Sequence, residues 1–250
     1  DKGHIDSHPA KNKRTGAFCM SITGKIPPYV LLNFTGTERD VSTMAHELGH
    51  AIHDLYTKEL PHSVSHASTP LCETASTFGE MLLFEELCKT ASKKERKILL
   101  MDKIADSYAA IMRQTYFVLF EIEAHDKLPK GMTEEELSNL WLKGLKEQFG
   151  DAVDVPENFK YEWSYIPHIF DYPFYCYSYS FGELLSLALY AQFRKEGKTF
   201  IPKLERILSA GGSKDPEELL KAEGFDISKA EFWESGFSVI KDWLKELKQL

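Results

Sequence analysis

The chain has 250 residues, of which 43% are hydrophobic, 27% charged and 12% aromatic, which fits a folded globular protein and excludes a disordered one. Its formal net charge is −8 and it has no basic run, so nucleic acid and anionic membrane surfaces are not expected partners. The longest apolar stretch, Leu184 to Phe193, is interrupted by Ser186 and Gln192 and falls far short of the ~20 residues of a transmembrane helix. Cys19, Cys72, Cys88 and Cys176 are too few and too far apart for a disulfide framework or a zinc knuckle. They read as reduced, mostly buried thiols of a cytoplasmic protein. No signal peptide is legible. An opening without Met on polar, loop-like sequence fits a piece of something longer.

Residues 1–16 read as loop. Ala17–Thr23 and Tyr29–Thr35 are short strand-like runs separated by Gly24, Pro27 and Pro28, which predicts a hairpin or two neighbouring strands. From Thr37 onward the pattern is helical. A first helix starts at Thr37, with Asp40 as its capping-box partner, and ends before Pro61. Val41, Met44, Leu48, Ile52 and Leu55 fall on one of its faces and are its expected buried stripe. A second helix begins near Thr69–Pro70 and buries Leu71, Ala75, Phe78 and Leu82. A long helix follows from Ser92, with Glu95 completing its cap, to Asp126; another spans Thr133 to Phe149. Residues 150–170 are irregular. An aromatic-rich segment then enters a helix ending near Gly197, Gly211–Gly212 closes a short helix, and Ile227 to Leu250 is a terminal helix. With no repeat and no low-complexity linker, the simplest partition of 1–250 is one mostly α domain, with a hairpin or small sheet before the first helix.

Seven of the nine histidines lie within the first 66 residues, and two of them form His46-Glu47-Leu48-Gly49-His50 on the first helix. Residues four apart sit one turn apart on the same face, so both imidazoles can reach one metal ion. Glu47 points beside such an ion and can take a proton from the water bound to it. In a chain of this composition, chance supplies roughly 0.03 His-Glu-x-x-His matches. The pattern therefore predicts a zinc site. A catalytic zinc needs a third protein ligand and an open position. His53, His62, His66, Glu73 and Glu80 are the downstream candidates. His53 is too far along the helix to join easily and suits a supporting role. Glu73 and Glu80 share a face of the second helix beside its apolar stripe, where a carboxylate needs a partner that zinc would supply. Two His and one Glu from packed helices make a gluzincin type of site.

Six of the eleven tyrosines fall between Tyr161 and Tyr179, in a stretch that also holds His168. Such groups can hold the oxyanion of a tetrahedral intermediate, although aromatic runs more often pack a core.

Together these residues resemble the oligoendopeptidase F and thimet oligopeptidase group of zinc peptidases, and oligoendopeptidase F most closely. The resemblance rests on Tyr29 to Thr37 running into Thr43 to His53, on Glu73-Thr74-Ala75-Ser76-Thr77-Phe78-Gly79-Glu80, on Arg113-Gln114-Thr115 and on His168 to Tyr179. It implies a zincin-like, mainly α catalytic fold that hydrolyses short peptides. It implies one zinc held by His46, His50 and Glu73, Glu47 as general base, and Glu80 as an acceptor for a ligand His. It further implies catalytic roles for His168, Tyr175 and Tyr177, with Tyr172 and Tyr179 as alternatives. Members of the group carry a long helical N-terminal region that walls a substrate channel, and only 45 residues precede His46 here. The chain is therefore expected to be the C-terminal catalytic portion, with that region as a partner. The alternative is a zinc-binding remnant without turnover. A strand at Phe34 and its neighbours is the expected edge for pairing a peptide.

Overall fold

A computed structural model describes residues 3–250, apart from the side chain of Pro70. Three short strands, β1 (Ile5–Asp6), β2 (Phe18–Met20) and β3 (Tyr29–Leu31), form a sheet in the order β1-β3-β2. β2 runs antiparallel to β3 with Cys19 opposite Val30, so the predicted pair of neighbouring strands forms. β1 lies in the stretch expected to be loop. Its two residues pair through the backbone alone, with Val30 and Leu32 donating to His4 and Asp6 at 2.8 Å, and two residues are too short to show alternation. Phe34 N–H also donates to Ser7 at 2.8 Å. β3 is thus flanked on both sides and its continuation is paired, which removes the segment at Phe34 as the peptide-pairing edge. β1 and β2 are the edge strands of the sheet, and β2 packs against α1.

Helix α1 (Glu38–Thr57) starts where the sequence predicts, with Thr37 and Asp40 exchanging hydrogen bonds at 3.0 and 3.2 Å. The Asp40 carboxylate also takes the N–H and hydroxyl of Thr35, and these hydrogen bonds hold its pKa well below the usual carboxylate range. The apolar stripe is not the buried face. Ile52 and Leu55 are 50% and 49% exposed, whereas Glu47, Gly49, His53 and Thr57 are buried. Small residues rather than large apolar ones set this packing. A Cβ on Gly49 would lie 2.5 Å from the Ser76 Cα and 2.6 Å from the Ala75 carbonyl oxygen. The two backbones meet there, and only glycine fits.

The predicted second helix is two helices. After α2 (His62–Ser65) come α3 (Thr69–Cys72) and α4 (Thr74–Thr90), broken at Glu73, whose φ of −84° and ψ of −3° lie in the sparsely populated bridge region. Leu71, Ala75 and Phe78 are buried as expected, but Leu82 is 40% exposed and Met81 takes its place in the core.

Helix α5 (Lys93–Tyr108) has the predicted Ser92–Glu95 cap. A π-helical turn, Ala109–Arg113, then separates it from α6 (Gln114–Lys127) within the span expected to be one helix. α7 (Glu134–Phe149) carries a Thr133–Glu136 capping box. 3₁₀ turns at Gly150–Ala152 and Glu157–Tyr165 lead to α8 (Pro167–Asp171) and α9 (Tyr177–Glu196). α10 (Ile201–Ser209), α11 (Pro216–Ala222) and α12 (Ala230–Leu247) complete the chain. α11, capped by Asp215, is too short to have shown a periodic signal.

The residues group into two compact units. One comprises residues through Ile104 together with Gly182–Leu250, and the other is Ala105–Phe181. The first packs Phe78 against the rings of Tyr190, Phe193 and Phe200. The second has its own core around Phe117, Phe120, Trp141, Leu145 and Ile166. Both junctions fall inside helices, α5 and α9, where no linker composition marks them. No helix among the described residues is long and apolar enough to cross a membrane, and the four cysteines are free.

Candidate metal centre and aromatic cluster

In the first unit, α1 presents His46 and His50 on one face, and the break between α3 and α4 turns Glu73 toward them. His46 Nε2 and His50 Nε2 are 3.2 Å apart, and each is 3.3 Å from Glu73 Oε2. Among the described residues this is the one group of three such side chains whose ligand atoms converge. A tetrahedral ion with ligands at 2.0–2.1 Å has ligand atoms about 3.3–3.4 Å apart, so the triangle has the size zinc requires. The tautomer also fits. His46 Nδ1 is 2.6 Å from Glu80 Oε1, a carboxylate can only accept, and the proton on Nδ1 leaves the Nε2 lone pair for a metal.

The surrounding groups orient this triangle. Ser76 Oγ donates to Glu73 Oε2 at 2.8 Å, and Lys103 Nζ lies 3.7 Å from Glu80 Oε2 with its side chain only 10% exposed. Burial by itself would raise the Glu73 carboxyl, but the hydrogen bond from His50, the charge of both imidazoles and Ser76 hold it down to about 2. Glu47 is buried and accepts a hydrogen bond from the Cys19 backbone N–H on β2. Its pKa is raised, chiefly by burial, against the opposing pull of His46 and His50, which suits a group that must take up a proton.

The other candidate ligands stand apart from the triangle. The ring of His53 is buried and hydrogen-bonds to the backbone at Leu208 and Cys72; burial pushes its pKa down to about 4, so it is neutral. His62 and His66 pack edge to face at 5.6 Å. His66 lines a polar cavity of about 190 Å³ beside His50, together with Cys19, His53, Asp54 and Cys72. Burial pushes the thiols of Cys19 and Cys72 up to about 12, which keeps them protonated and poor nucleophiles. Ser76, Lys103 and the Cys19 amide escaped the sequence reading. Ser76 lies within the quoted Glu73–Glu80 stretch, where its spacing of three from Glu73 was the available signal.

The aromatic segment belongs to the second unit. His168 Nε2 is 3.1 Å from the Tyr179 hydroxyl. The Tyr175 ring lies parallel to His168, with centroids 6.1 Å apart, and meets Tyr179 edge to face at 5.3 Å. The structure therefore gathers His168, Tyr175 and Tyr179. Tyr177 and Tyr172 are 47% and 66% exposed, and the Tyr172 ring lies 6.3 Å from that of Tyr175. Phe174, just before Tyr175, has a φ of 60°, and its N–H donates to Glu121 Oε1 at 2.8 Å.

Oligopeptidase PepF of Bacillus subtilis is 32% identical over 98% of this chain and 37% of its own length. A candidate peptidase of Chlamydophila abortus superposes with a TM-score of 0.88 at 33% identity, over 99% of this chain and 42% of that one. Oligoendopeptidase-F of Enterococcus faecium gives 0.71 at 30% identity, over 86% of this chain and 40% of that one. The chain thus spans about two fifths of the length of these relatives. The mainly α fold with its small sheet is the fold of these solved relatives. The model of Peptidase family M3 matches residues 1–239, nearly the whole length, and the chain belongs to that family.

Proposed function

We propose that the chain carries the zinc-binding catalytic apparatus of an endopeptidase that hydrolyses short peptides. The observation that carries this reading is the triangle of His46, His50 and Glu73 at 3.2–3.3 Å with the buried carboxyl of Glu47 beside it. The three residues would hold one zinc, which when bound supplies Lewis-acid polarisation and lowers the pKa of water. Glu80 fixes the His46 tautomer, and Ser76 orients Glu73. Glu47 accepts the proton of the attacking water and returns it to the leaving amine; burial raises its pKa, which favours the uptake. β2 is an edge strand and its Cys19 N–H already donates to Glu47, so we propose that a peptide pairs along the remainder of that edge.

The sequence resemblance gives the oxyanion role to His168, Tyr175 and Tyr177, and the 3.1 Å approach of His168 Nε2 to the Tyr179 hydroxyl supports adding Tyr179 as a candidate. The names of the relatives, an oligopeptidase and an oligoendopeptidase, support short peptides as the substrate class. The proposed partner is a further helical region of the same parent protein, and the proposed setting is the cytoplasm, which suits four free thiols. The competing reading is a zinc-binding remnant. Elemental analysis and a fluorogenic short-peptide assay separate the two. The proposal expects about one zinc per chain and cleavage that a chelator abolishes and zinc restores. Stoichiometric zinc without turnover on any peptide favours the remnant, and no zinc uptake sinks both.

A further inference from the structure

The aromatic segment of the second unit is tied down at both ends. Behind it, Ser180 Oγ lies 3.1 Å from the carbonyl oxygens of both Ala110 and Ile111, in the π-helical turn. The shared hydroxyl proton ties the end of the segment to that turn. In front of it, Phe174 sits in the left-handed region at φ 60°, a conformation that strains a residue with a Cβ. Its N–H is held at 2.8 Å by Oε1 of Glu121, which is only 1% exposed. Glu121 Oε2 has no hydrogen-bond partner among the described residues. His125, one turn further along α6, lays its ring against Phe174 at 4.7 Å.

Glu121 is an expensive residue for its place. Its neighbours one turn either way on α6 are Phe117 and Ala124, both in the apolar core that also takes in Cys176. A carboxyl there is costly unless it is bonded, and the one hydrogen bond it makes among the described residues goes to the strained residue that precedes Tyr175. An apolar side chain would fill the space at lower cost, so packing alone does not account for a glutamate.

We propose that Glu121 is a positioning residue for the catalytic segment: its carboxyl holds Phe174 in the left-handed conformation that sets the approach of Tyr175 to His168 and Tyr179. This rests on the reading of that segment as catalytic. Glu121 acts through the loop and touches no substrate. Glycine takes φ 60° freely, so a phenylalanine at 174 makes the loop dependent on its anchor.

The experiment compares Glu121→Leu, which removes the acceptor, with Glu121→Gln, which keeps an oxygen, and with Phe174→Gly in the Glu121→Leu background. Amide exchange over residues 172–178 reads the anchor directly, whatever turnover the chain shows. Exchange should accelerate at least tenfold in Glu121→Leu and stay near wild type in Glu121→Gln. For short-peptide cleavage, Glu121→Leu should lower kcat by about 10²-fold with KM changed far less, because a misplacement of about 1 Å costs that much. Zinc content should stay at wild type, Glu121→Gln should recover most of the loss, and Phe174→Gly should recover part of it. Wild-type exchange in Glu121→Leu overturns the proposal. So does a kcat loss that Glu121→Gln fails to recover, because that marks a packing defect. His168→Ala, Tyr175→Phe and Tyr179→Phe serve as the control for the underlying reading. If all three cleave at wild-type rate, the catalytic reading falls and takes the positioning role with it. If they are impaired while Glu121→Leu is not, only the role of Glu121 falls.

Discussion

The two polar clusters are built on opposite principles. The metal centre is assembled from charge: Glu47, Glu73 and Glu80 crowd around two imidazoles, with Lys103 as the nearby cation. Such a set repels itself unless a cation or protons intervene. The aromatic cluster is assembled from rings. His168, Tyr175 and Tyr179 meet through ring contacts and a hydroxyl, and their placement depends on backbone anchors at Phe174 and Ser180. Side-chain identity therefore governs the first cluster, and loop conformation governs the second. Damage to the first should be close to all-or-none, and damage to the second graded.

The largest effect tests the all-or-none half. His46→Ala removes one corner of the triangle and the partner of Glu80 together, so zinc content should fall from about one per chain to near zero. Glu73→Gln should lose most of the zinc as well, and the far-ultraviolet signal should persist because both helices keep their packing. Full zinc occupancy in the His46 variant would remove the ligand assignment. Glu47→Gln comes next. It removes a proton acceptor and no ligand, so zinc should remain while turnover falls by about 10²–10⁴-fold. Near wild-type cleavage by that variant would contradict the proposed base.

How legible each cluster was in the sequence follows from the same contrast. His46, Glu47 and His50 are close in sequence and share a helix, so spacing alone placed them. Glu73 was one of several candidates until the resemblance singled it out. The feature that aims it, a helix break with ψ near 0°, leaves no mark in periodicity. The apolar stripe of α1 misled because Gly49 lets two backbones touch, and a buried face made of Gly, His and Glu does not look like a core. Lys103 lay beyond reach, because its partner Glu80 is 23 residues away on another helix. In the aromatic segment the residue types were visible, but the choice among tyrosines was not. It depends on a left-handed Phe174 held by Glu121, 53 residues earlier in the chain. The two compact units were equally hidden, because both junctions run through continuous helix.

The graded half is tested by removing single hydroxyls. Tyr179→Phe deletes the group 3.1 Å from His168 and should lower kcat by about 10²–10³-fold with zinc retained, if that hydroxyl serves the oxyanion. Tyr177→Phe, at a position 47% exposed, should cost much less. The resemblance had favoured Tyr177 over Tyr179. Steady-state kcat and KM for both variants therefore decide between a family-based and a geometry-based assignment. Equal, negligible losses would return the segment to a packing role.

The smallest effect lies at the meeting point of the two principles, where a charged group acts only by orientation. Glu80 is not a ligand, but its carboxylate holds His46 at 2.6 Å and faces Lys103 at 3.7 Å. Losing such a support typically costs about 10–100-fold in metal affinity. Glu80→Gln keeps an oxygen that can accept from Nδ1–H, so zinc competition titrations should place it near the lower end. Glu80→Leu removes the acceptor and should approach the upper end. It also strands Lys103, whose side chain is only 10% exposed, so its unfolding midpoint should drop more than that of Glu80→Gln. Adding Lys103→Met to Glu80→Leu should restore the midpoint, because the stranded charge is gone. It should not restore zinc affinity, because His46 still lacks its acceptor. Recovery of both quantities in the double variant would mean that Lys103, rather than the orientation of His46, governs the metal site. Recovery of neither would mean that Glu80 supports the fold through contacts other than these two.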